Sequence, residues 1–459
     1  MLRPEVTLRG FLGEAADLSA SMLHGTERSV PLDEAARGTG FECHENFRDR
    51  SVLIATEDQL TTSLVLIELD GIAHRMVLCP QGLDQAQLVS IVRQAEVDTI
   101  ICGRDPSYLA TLGANRLIPY RGPAVRTPAA AERARETEWV LTTSGTTGAP
   151  KLVAHSLRGL VGAIGPATPR AQPAIWATFY DIRRYGGLQI FLRAIVGGSS
   201  MIFSHADEPL DQHLRRLARC GVTHISGTPS HWRRVLMSPG RALIAPEYVR
   251  LSGEIADQAL LDALKKAFAP ASVSHAYAST EAGVAFNVAD ALEGFPVSFV
   301  SQSHGSEVEM KIAEGSLRIR SDRTARAYIG TAEQLHDADG FVDTGDMIEQ
   351  RGDRYYFVGR RGGIINVGGM KVHPEEVESV INAHPLVRMS RVSARKNPIT
   401  GALVQAEIVL NAGAADLGVT QEITALCRAH LPPHKIPSRI TVVDQLAVTS
   451  GGKLARPNG

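Results

Sequence analysis

Short runs of β-branched residues alternate with amphipathic stretches along most of this chain, beginning near residue 50. The runs Ser51–Thr56 and Ser63–Leu69 are typical of strands, and Leu83–Val97 is typical of a helix that leads into another strand. Two more helix-then-strand pairs begin at Ala206 and Asp257. Strands joined by helices pair in parallel, so the alternation predicts an α/β fold layered around parallel-type sheets.

The pattern changes after Gly359–Gly363, where hairpin-like runs give way to a compact α+β unit. A strand and a Gly-Gly turn lead into a helix that opens at Pro374, and proline fits the first helical turn. We therefore predict a large layered N-terminal domain over residues 1–361. A small mobile α+β C-terminal domain over residues 362–459 would follow, with the hinge near Gly362, since glycine absorbs backbone changes without steric cost.

Composition and charge exclude several classes of function. The chain has 459 residues, and 48 Lys and Arg against 49 Asp and Glu leave no electrostatic footprint for nucleic acid or an anionic membrane. The five cysteines are scattered singly, which argues against a disulfide framework or a zinc site and favours the reducing cytosol. No apolar run approaches the ~20 residues of a membrane span. These features predict a cytoplasmic protein.

The segment Leu141–Lys151, which reads LTTSGTTGAPK, places two glycines and five hydroxyl residues before one lysine. Glycines let backbone N–H groups face an anion, hydroxyls donate further hydrogen bonds and the lysine adds charge, which predicts a phosphate-binding loop. The alternative is a flexible loop between strands. A P-loop kinase is excluded, because its lysine directly follows the second glycine and precedes Ser or Thr, whereas Leu152 follows here.

In this order of residues the loop resembles the phosphate-binding signature of the adenylate-forming superfamily, which includes acyl-CoA synthetases, aryl-CoA ligases, peptide-synthetase adenylation domains and luciferases. Further motifs of that superfamily recur in order at Ala276–Glu281, Asp343–Asp346, Gly359–Arg360, Asn366–Gly369, Pro374–Glu378 and Thr449–Arg456. The resemblance runs from about residue 50 to the end of the sequence. It implies an AMP-forming acid–thiol ligase of the acyl-CoA synthetase branch, with ATP, Mg²⁺ and coenzyme A.

The resemblance also implies a role for each matching residue. The ATP and AMP site would contain Thr143, Ser144, Gly145, Thr146, Thr147, Gly148, Lys151, Ala276, Tyr277, Ala278, Asp346 and Arg360. The catalytic residues would be Thr280, Glu281 and Lys453. Mg²⁺ would be held by Glu281 and Thr146. CoA would bind at Gly368 and Gly369. The acyl pocket would include Tyr180, Arg183, Gly253 and Glu254.

The residue types suit these roles, and each has a structural alternative. A hard dication prefers carboxylate oxygens such as those of Glu281, although an acid near the start of a helix also suits a cap. Asp346 would accept the ribose hydroxyls, or it is a turn residue. Arg360 would contact ribose or phosphate, or it forms a surface salt bridge. Tyr277 would stack on adenine, or it belongs to the core.

Two segments of the C-terminal unit resemble mobile parts of the superfamily. Lys453 lies in a Gly-rich segment near the C-terminus, where a lysine is ordinarily a solvated tail. In the superfamily such a lysine swings in to stabilise charge that develops at the α-phosphate and carboxylate. Gly368 and Gly369 resemble the loop that lines the pantetheine tunnel after the domain rotates, and the alternative is a plain hairpin turn.

The implied chemistry has two steps. A carboxylate is a poor electrophile because its leaving group is oxide, whereas attack on the α-phosphate of ATP gives an acyl adenylate from which AMP leaves readily. A thiolate then takes the acyl group. The two half-reactions need different residues at one centre, which a hinged domain supplies by domain alternation. We therefore expect an acyl-CoA ligase that acts on a small-molecule carboxylic acid or its adenylate.

Several positions depart from the superfamily pattern. Leu152 and Ala278 replace glycines, and the acyl-pocket segment reads FYDIRRY over residues 179–185. We expect Leu152 to crowd the phosphate loop, so a variant specialised for the thioesterification half-reaction stays open as an alternative. Arg183 pairs with Asp181, reaches a substrate oxygen or lies in a solvated loop.

Two rival functions stay open. The first is an adenylation enzyme that loads a separate carrier protein, because the chemistry is identical as far as the adenylate. The second is a binding pseudoenzyme, against which the joint presence of Lys151, Glu281, Asp346, Arg360 and Lys453 argues. The expected acid is bulky, partly oxygenated and drawn from secondary metabolism.

Overall fold

The structure is a computed structural model that describes residues 7–15, 17–103, 109, 112–120, 122–123, 135–143, 150–165, 172–398, 400–411, 418–447 and 454–455. The helices in these ranges are α1 Leu8–Glu14, α2 Leu32–Arg37, α3 Gln59–Leu69, α4 Gln85–Gln94, α5 Leu157–Val161, α6 Tyr185–Val196, α7 Leu210–Arg219, α8 Pro229–Met237, α9 Gln258–Ala267, α10 Ser298–Ser301, α11 Pro374–Asn382 and α12 Val419–His430.

The strands of the same ranges form four sheets. They are β1 Met22–His24, β2 Ser29–Pro31, β3 Ser51–Ala55, β4 Arg75–Leu78, β5 Thr99–Cys102, β6 Arg116–Pro119, β7 Glu138–Thr143, β8 Lys151–Ser156, β9 Ile175–Thr178, β10 Ser200–Ile202, β11 His224–Gly227, β12 Tyr248–Ser252, β13 Ser272–Ser279, β14 Gly283–Val288, β15 Phe295–Pro296, β16 Val308–Ala313, β17 Ser316–Ser321, β18 Ala327–Ile329, β19 Val342–Arg351, β20 Arg354–Arg360, β21 Ile365–Val367, β22 Met370–Val372, β23 Val387–Asn397, β24 Gly401–Leu410 and β25 Arg439–Val442.

The first two sheets are mixed and largely parallel. One has the strand order β18-β8-β7-β4-β3-β5-β6, and the other has the order β14-β13-β12-β11-β9-β10-β1-β2. Neighbouring strands pair in parallel through the middle of each sheet. Antiparallel strands lie at both edges of the second sheet and at the β18 edge of the first, whose other edge strand, β6, is parallel to β5. Parallel strands covered on both faces read as nearly continuous apolar runs, which explains the β-branched segments of the sequence.

Helices fill the space between these two sheets and cover their outer faces. Side chains of α1, α3, α5 and α6 share one apolar core with β3, β4, β7 and β10. The helices α7, α8 and α9 pack on the other face of the second sheet, and α4 packs on the other face of the first. The result is a layered N-terminal domain, and the predicted α/β fold class is confirmed.

One predicted strand is wrong. Residues Ser63–Leu69 form the second half of α3 rather than a strand, and every residue of this helix is buried. A helix that is buried on all sides has no amphipathic period, so its apolar run cannot be told from a buried strand by the pattern. The other strands and helices that the sequence analysis placed occur within a few residues of their predicted bounds.

Two smaller sheets complete the fold. An antiparallel sheet of order β15-β20-β19-β17-β16 follows the second large sheet along the chain. The last sheet, β22-β21-β24-β23 with β25 beside β24, packs against α11 and α12 around its own apolar core. It forms the predicted small α+β C-terminal unit, while the boundary at Gly362 stays a prediction.

Two findings bear on the expectations from composition. Each of the five cysteines is a free thiol. Among the helices of the described ranges, none combines the length and the apolar character that a membrane crossing requires.

Candidate active site

The predicted phosphate loop joins the ends of a β-hairpin. Strands β7 and β8 pair antiparallel, and Thr143 lies opposite Lys151 where the two strands part. The predicted loop residues Ser144, Gly145, Thr146, Thr147 and Gly148 lie outside the described residues. The structure therefore fixes both ends of the loop and the position of its lysine.

Lys151 is held by groups that the sequence analysis did not find. Its Nζ lies 2.7 Å from both carboxylate oxygens of Glu333 and 4.9 Å from the ring centre of Tyr328. Both members of the ion pair are about half exposed, so the pair contributes little stability. A polyphosphate could therefore displace Glu333 from the lysine at small cost.

Leu152 does not crowd the side of the strand that carries Lys151. Its side chain is fully buried and packs in the core with Val140 and Ile329, because successive side chains of a strand point to opposite faces. The loop itself lies outside the described residues, so the expected effect of Leu152 on it stays a prediction, as does the variant limited to thioesterification.

Asp346, on the antiparallel sheet that contains β19 and β20, is the centre of a hydrogen-bonded group. The register of β19 and β20 places it opposite Arg360, whose Nε donates to Oδ1 at 2.8 Å. The hydroxyl of Tyr277 donates to Oδ2 at 2.5 Å. Asp346 raises the pKa of Arg360, while burial and then Asp346 raise the pKa of Tyr277. Both partners therefore keep their protons and hold the carboxylate in place.

Tyr277 is also fixed by aromatic neighbours. Its ring stacks with Phe357 at 4.8 Å and with Phe286 at 5.6 Å between ring centres. It lies on β13 between Ala276 and Ala278, where the pairing with β14 shifts its register. The structure thus brings Tyr277, Asp346 and Arg360 together. Whether adenine stacks here stays a prediction.

Glu281 has a carboxylate that remains available for a cation. It follows Thr280 in the turn between β13 and β14, and its backbone oxygen accepts the N–H of Ala325. None of the described residues donates a hydrogen bond to its carboxylate. Burial, followed by the charges of Glu281 and Glu333, raises the pKa of Tyr328 to about 12, so these groups lie near one another.

The residues around Glu281 fit Mg²⁺ better than a metal that needs a protein cage. Mg²⁺ is usually held by one or two carboxylates together with substrate phosphates and water. In the part of the chain that the structure describes, no group of three or more His, Cys, Asp or Glu could hold an ion by itself. The predicted second metal residue, Thr146, lies outside the described residues.

Glu254 links the acyl-pocket segment to the C-terminal unit. Its carboxylate accepts the backbone N–H and the hydroxyl of Ser230, in the first turn of α8, at 2.9 and 3.0 Å. It also accepts the N–H of Leu454, the residue after Lys453, at 3.1 Å. The preceding Gly253 has φ +86°, a left-handed conformation that favours glycine. Lys453 lies outside the described residues.

The structure separates two residues that the sequence analysis assigned to one pocket. The Tyr180 hydroxyl donates to the carbonyl of Ser252, beside Gly253. Arg183 is buried and turns away, because its guanidinium bonds Asp181 and the carbonyl of Thr56. Of the three readings for Arg183, the ion pair with Asp181 is the one observed. Both members of that pair line a cavity of about 250 Å³.

Gly368 and Gly369 form the tip of the β21–β22 hairpin. Both have positive φ, +60° and +87°, and both are exposed. The Gly368 N–H donates to the carbonyl of Thr400, and the Gly369 N–H donates to Asn366. These bonds remain within the C-terminal unit, so the structure does not bring the hairpin to the residues around Glu281.

A buried histidine near Thr280 is among the residues that sequence reasoning missed. His155, on β8, has its ring tilted against that of Tyr185, with 5.6 Å between the ring centres, and approaches the backbone of Thr280. Burial lowers its pKa to about 4, so the ring is neutral. Its position four residues after Lys151 on a strand was the available signal, since alternate residues share a face.

Comparison with known families identifies this arrangement. A family model described as AMP-binding enzyme matches residues 57–328, more than half of the chain. The chain belongs to the AMP-binding enzyme family. A model described as AMP-binding enzyme C-terminal domain matches residues 376–453 of the same chain. Membership confirms the predicted superfamily and the predicted class of enzyme, an AMP-forming ligase.

Relatives of this AMP-binding enzyme include named CoA ligases. The chain is 28% identical over 333 residues to a 2-succinylbenzoate–CoA ligase of Listeria innocua, which covers 69% of this chain and 68% of the relative. It is 26% identical to the 2-methylpropanoate–CoA ligase CCL4 of Humulus lupulus, over 68% of this chain and 62% of the relative. These names describe the activities of the relatives and do not identify the substrate of this enzyme.

Solved structures of distant sequence share the whole fold. The anthranilate CoA ligase AuaEII, solved with anthranoyl-AMP, superposes with a TM-score of 0.81 at 19% identity and covers 99% of this chain and 96% of its own.

Proposed function

We propose that this AMP-binding enzyme is an acyl-CoA ligase, which converts a carboxylic acid into an acyl adenylate and then transfers the acyl group to coenzyme A. One observation supports this most. Three strands and one turn bring together four side chains, namely Tyr277 of β13, Asp346 of β19, Arg360 of β20 and Glu281 of the turn after β13. Their charges suit a nucleotide with a metal ion. The relatives named as CoA ligases favour CoA as acceptor.

The chain's own residues would bind and orient the nucleotide. Asp346, held by Arg360 and Tyr277, would accept the ribose hydroxyls. Lys151 would exchange its weak pair with Glu333 for phosphate oxygens. Bound Mg²⁺ would neutralise charge on the phosphates, and Glu281 offers it a free carboxylate.

The C-terminal unit would complete the site for the first half-reaction. The bond between Glu254 and the Leu454 N–H joins the C-terminal segment to the acyl-pocket segment, and we propose that Lys453 acts from this segment. A lysine ammonium at that point would stabilise the charge that develops between carboxylate and α-phosphate. The hairpin tip at Gly368 and Gly369 would take its place after the unit rotates, to bind the pantetheine arm of CoA.

A mass-spectrometric assay with the full chain tests this proposal. The enzyme is incubated with ATP, Mg²⁺, CoA and a panel of aliphatic and aromatic acids, and acyl-CoA is expected from at least one acid. Lys453→Ala is expected to form no acyl-CoA from the acid and ATP. The same variant is expected to form acyl-CoA when a ready-made acyl adenylate is supplied. Product on a phosphopantetheinyl carrier protein instead of CoA would support the rival acceptor. Nucleotide binding without any product would contradict the proposal.

A further inference from the structure

A row of buried polar side chains crosses the second sheet beneath α6. The strand registers place Ser226 opposite Thr178 and Arg250, and Arg250 opposite Ser274. We call these residues, Thr178, Ser226, Arg250 and Ser274, the polar row. All are buried. Such a row is unusual, because a sheet face that a helix covers is ordinarily apolar.

The polar row faces α6 and not the helices on the other side of the sheet. Its strand neighbours Ala177, Ile225, Leu251 and Val273 belong to the core with α7, α8 and α9. Because successive side chains of a strand alternate between faces, the polar row points the opposite way. The fold therefore keeps one face apolar and the other polar across the same strands.

Helix α6 adds a second arginine to this layer. Gln189 and Arg193 lie one turn apart and share a face of the helix. Arg193 donates to the carbonyl of Ala163 at 3.1 Å, while its Nε is buried without a hydrogen-bond partner. The Oε1 atom of Gln189 is also buried without a partner. Two neighbouring polar groups thus lack partners in the same place.

Among the described residues, neither arginine has a counter-charge. Arg250 donates to the amide oxygen of Asn287 at 2.6 Å, and no carboxylate of the described residues pairs with Arg250 or Arg193. Burial first, and then the positive charge of Arg250, lowers the pKa of Arg193 to about 10. Buried like charges without an anion are costly, so their persistence in a fold needs a reason. A ligand anion supplies one.

The polar row lies two residues along β12 from the strand end that carries the candidate active site. On β12, Ser252 follows Arg250 by two residues and accepts the Tyr180 hydroxyl just before Gly253 and Glu254. Two residues of a strand span about 7 Å. An acid with its reacting carboxylate at the strand ends would therefore extend toward Arg250 and Arg193.

We propose that Arg193 and Arg250, with the hydroxyls of the polar row, bind a second anionic group at the far end of the substrate acid. The preferred substrate is then a dicarboxylic acid or another acid with a distal anion. This inference rests on the proposed function and narrows its substrate class. Arginine guanidinium groups suit such a group, because they bind a carboxylate through paired N–H donors.

ATP–pyrophosphate exchange with matched acids tests the inference. Unbranched and aromatic dicarboxylic acids are each compared with their own monomethyl ester, which keeps the length and removes one charge. We expect the wild type to favour at least one diacid over its half-ester by about tenfold or more in kcat/KM, the effect of a charge-assisted hydrogen bond. A preference for the half-esters throughout would overturn the inference.

Two variants examine the arginines themselves. Arg193→Met and Arg250→Met are each expected to raise the KM for the diacid about tenfold or more and to reduce the preference for the diacid over its half-ester by a similar factor. Arg193→Lys is expected to retain part of the diacid preference. Arg351→Met, at the exposed C-terminal end of β19, is the matched control and is expected to behave as wild type.

A binding measurement guards against a folding artefact. The diacid is expected to raise the melting temperature of the wild type with a non-hydrolysable ATP analogue present, and to leave that of folded Arg193→Met unchanged. An unchanged diacid preference in both variants would contradict the inference. Exchange with neutral acids alone would also contradict it, while the proposed function would stand. Absence of exchange and of thioester formation with every acid and adenylate would overturn the proposed function as well.

Discussion

At the scale of single residues, the candidate site is built from charges that are held in place before any nucleotide arrives. Asp346 is fixed by two hydrogen-bond donors from different strands. Lys151 forms an exposed ion pair with Glu333 that it can exchange for another anion. The two hydrogen bonds would hold Asp346 ready for the ribose. The exposed ion pair leaves Lys151 able to exchange Glu333 for phosphate. The side chain proposed to bind ribose is thus held rigidly, whereas the side chain proposed to bind phosphate can change its partner.

The ion pair between Lys151 and Glu333 gives a first prediction. Glu333→Gln is expected to leave the KM for ATP unchanged or to lower it by up to about fivefold, because an exposed ion pair contributes at most about 1 kcal/mol. Lys151→Ala is expected to raise that KM by about tenfold or more. Exchange kinetics at varied ATP measure both, with Glu349→Gln as the surface control. A rise in KM for Glu333→Gln as large as that for Lys151→Ala would show that Glu333 itself serves the nucleotide.

A buried carboxylate gives a prediction of pH dependence. Asp70 accepts the N–H of Leu8 and the indole N–H of Trp139, and burial raises its pKa from 3.8 to about 7. The folded state then binds a proton that the unfolded state releases, so the free energy of unfolding falls as pH rises from about 4 to 7 and levels off above. The contribution is on the order of 2–3 kcal/mol between pH 5 and 8.

Urea unfolding at several pH values checks this account of Asp70. Asp70→Asn does not titrate, so its free energy of unfolding is expected to fall less between pH 5 and 8 than that of the wild type. Asp339→Asn, at an exposed carboxylate, is expected to follow the wild type. Parallel curves for the wild type and Asp70→Asn would mean that Asp70 does not titrate in this range.

At the scale of secondary-structure elements, the β21–β22 hairpin is the part of the candidate site that stands apart. Its exposed glycine tip bonds within the C-terminal unit, while the segment at Leu454 bonds Glu254. Residues for two half-reactions are thus not assembled together. This arrangement suits a domain that alternates between two positions.

The hairpin gives the third prediction. Gly369→Ala places a side chain at φ +87° and adds a methyl group to the proposed pantetheine loop, so thioester formation from a ready-made adenylate is expected to slow by about fivefold or more. ATP–pyrophosphate exchange is expected to stay within about twofold. Gly352→Ala, at φ +61° in the tip between β19 and β20, is the matched control for glycine strain. Equal loss of both half-reactions in Gly369→Ala alone would contradict a role confined to the second.

The sequence predicted local elements better than long-range partners. Motif order found Asp346, Arg360 and Tyr277, which strand pairing then brings together. It could not find the partners of Lys151 and Glu254, because Glu333 and Leu454 lie 182 and 200 residues away along the chain. The buried second half of α3 was mistaken for a strand because burial on all sides removes the helical period.

At the scale of the whole molecule, the C-terminal unit docks on the N-terminal domain through a carboxylate that also caps α8. Glu254 accepts two donors from Ser230 and the N–H of Leu454. A negative charge suits the start of a helix, so this contact both orders the acyl-pocket segment and receives the C-terminal segment. Docking and pocket order are therefore coupled at one side chain.

This coupling gives the fourth prediction. Glu254→Gln keeps the size of the side chain but removes its charge and one acceptor, so ATP–pyrophosphate exchange is expected to fall by about fivefold or more. Thioester formation from a ready-made adenylate is expected to change by less than about twofold, because that step uses the other domain position. Glu247→Gln, on the loop before β12, serves as control. Loss of the second step alone would contradict the docking role.

The central claim is that this enzyme activates an acid by forming an acyl adenylate, and its most direct test is acid-dependent exchange of labelled pyrophosphate into ATP. The wild type is incubated with ATP, Mg²⁺ and labelled pyrophosphate, with and without each acid of the diacid and half-ester panel. The account predicts label in ATP when a suitable acid and Mg²⁺ are both present, and none when either is withheld. Label that enters ATP without an acid, or its absence with every acid while ATP still binds, would contradict the account.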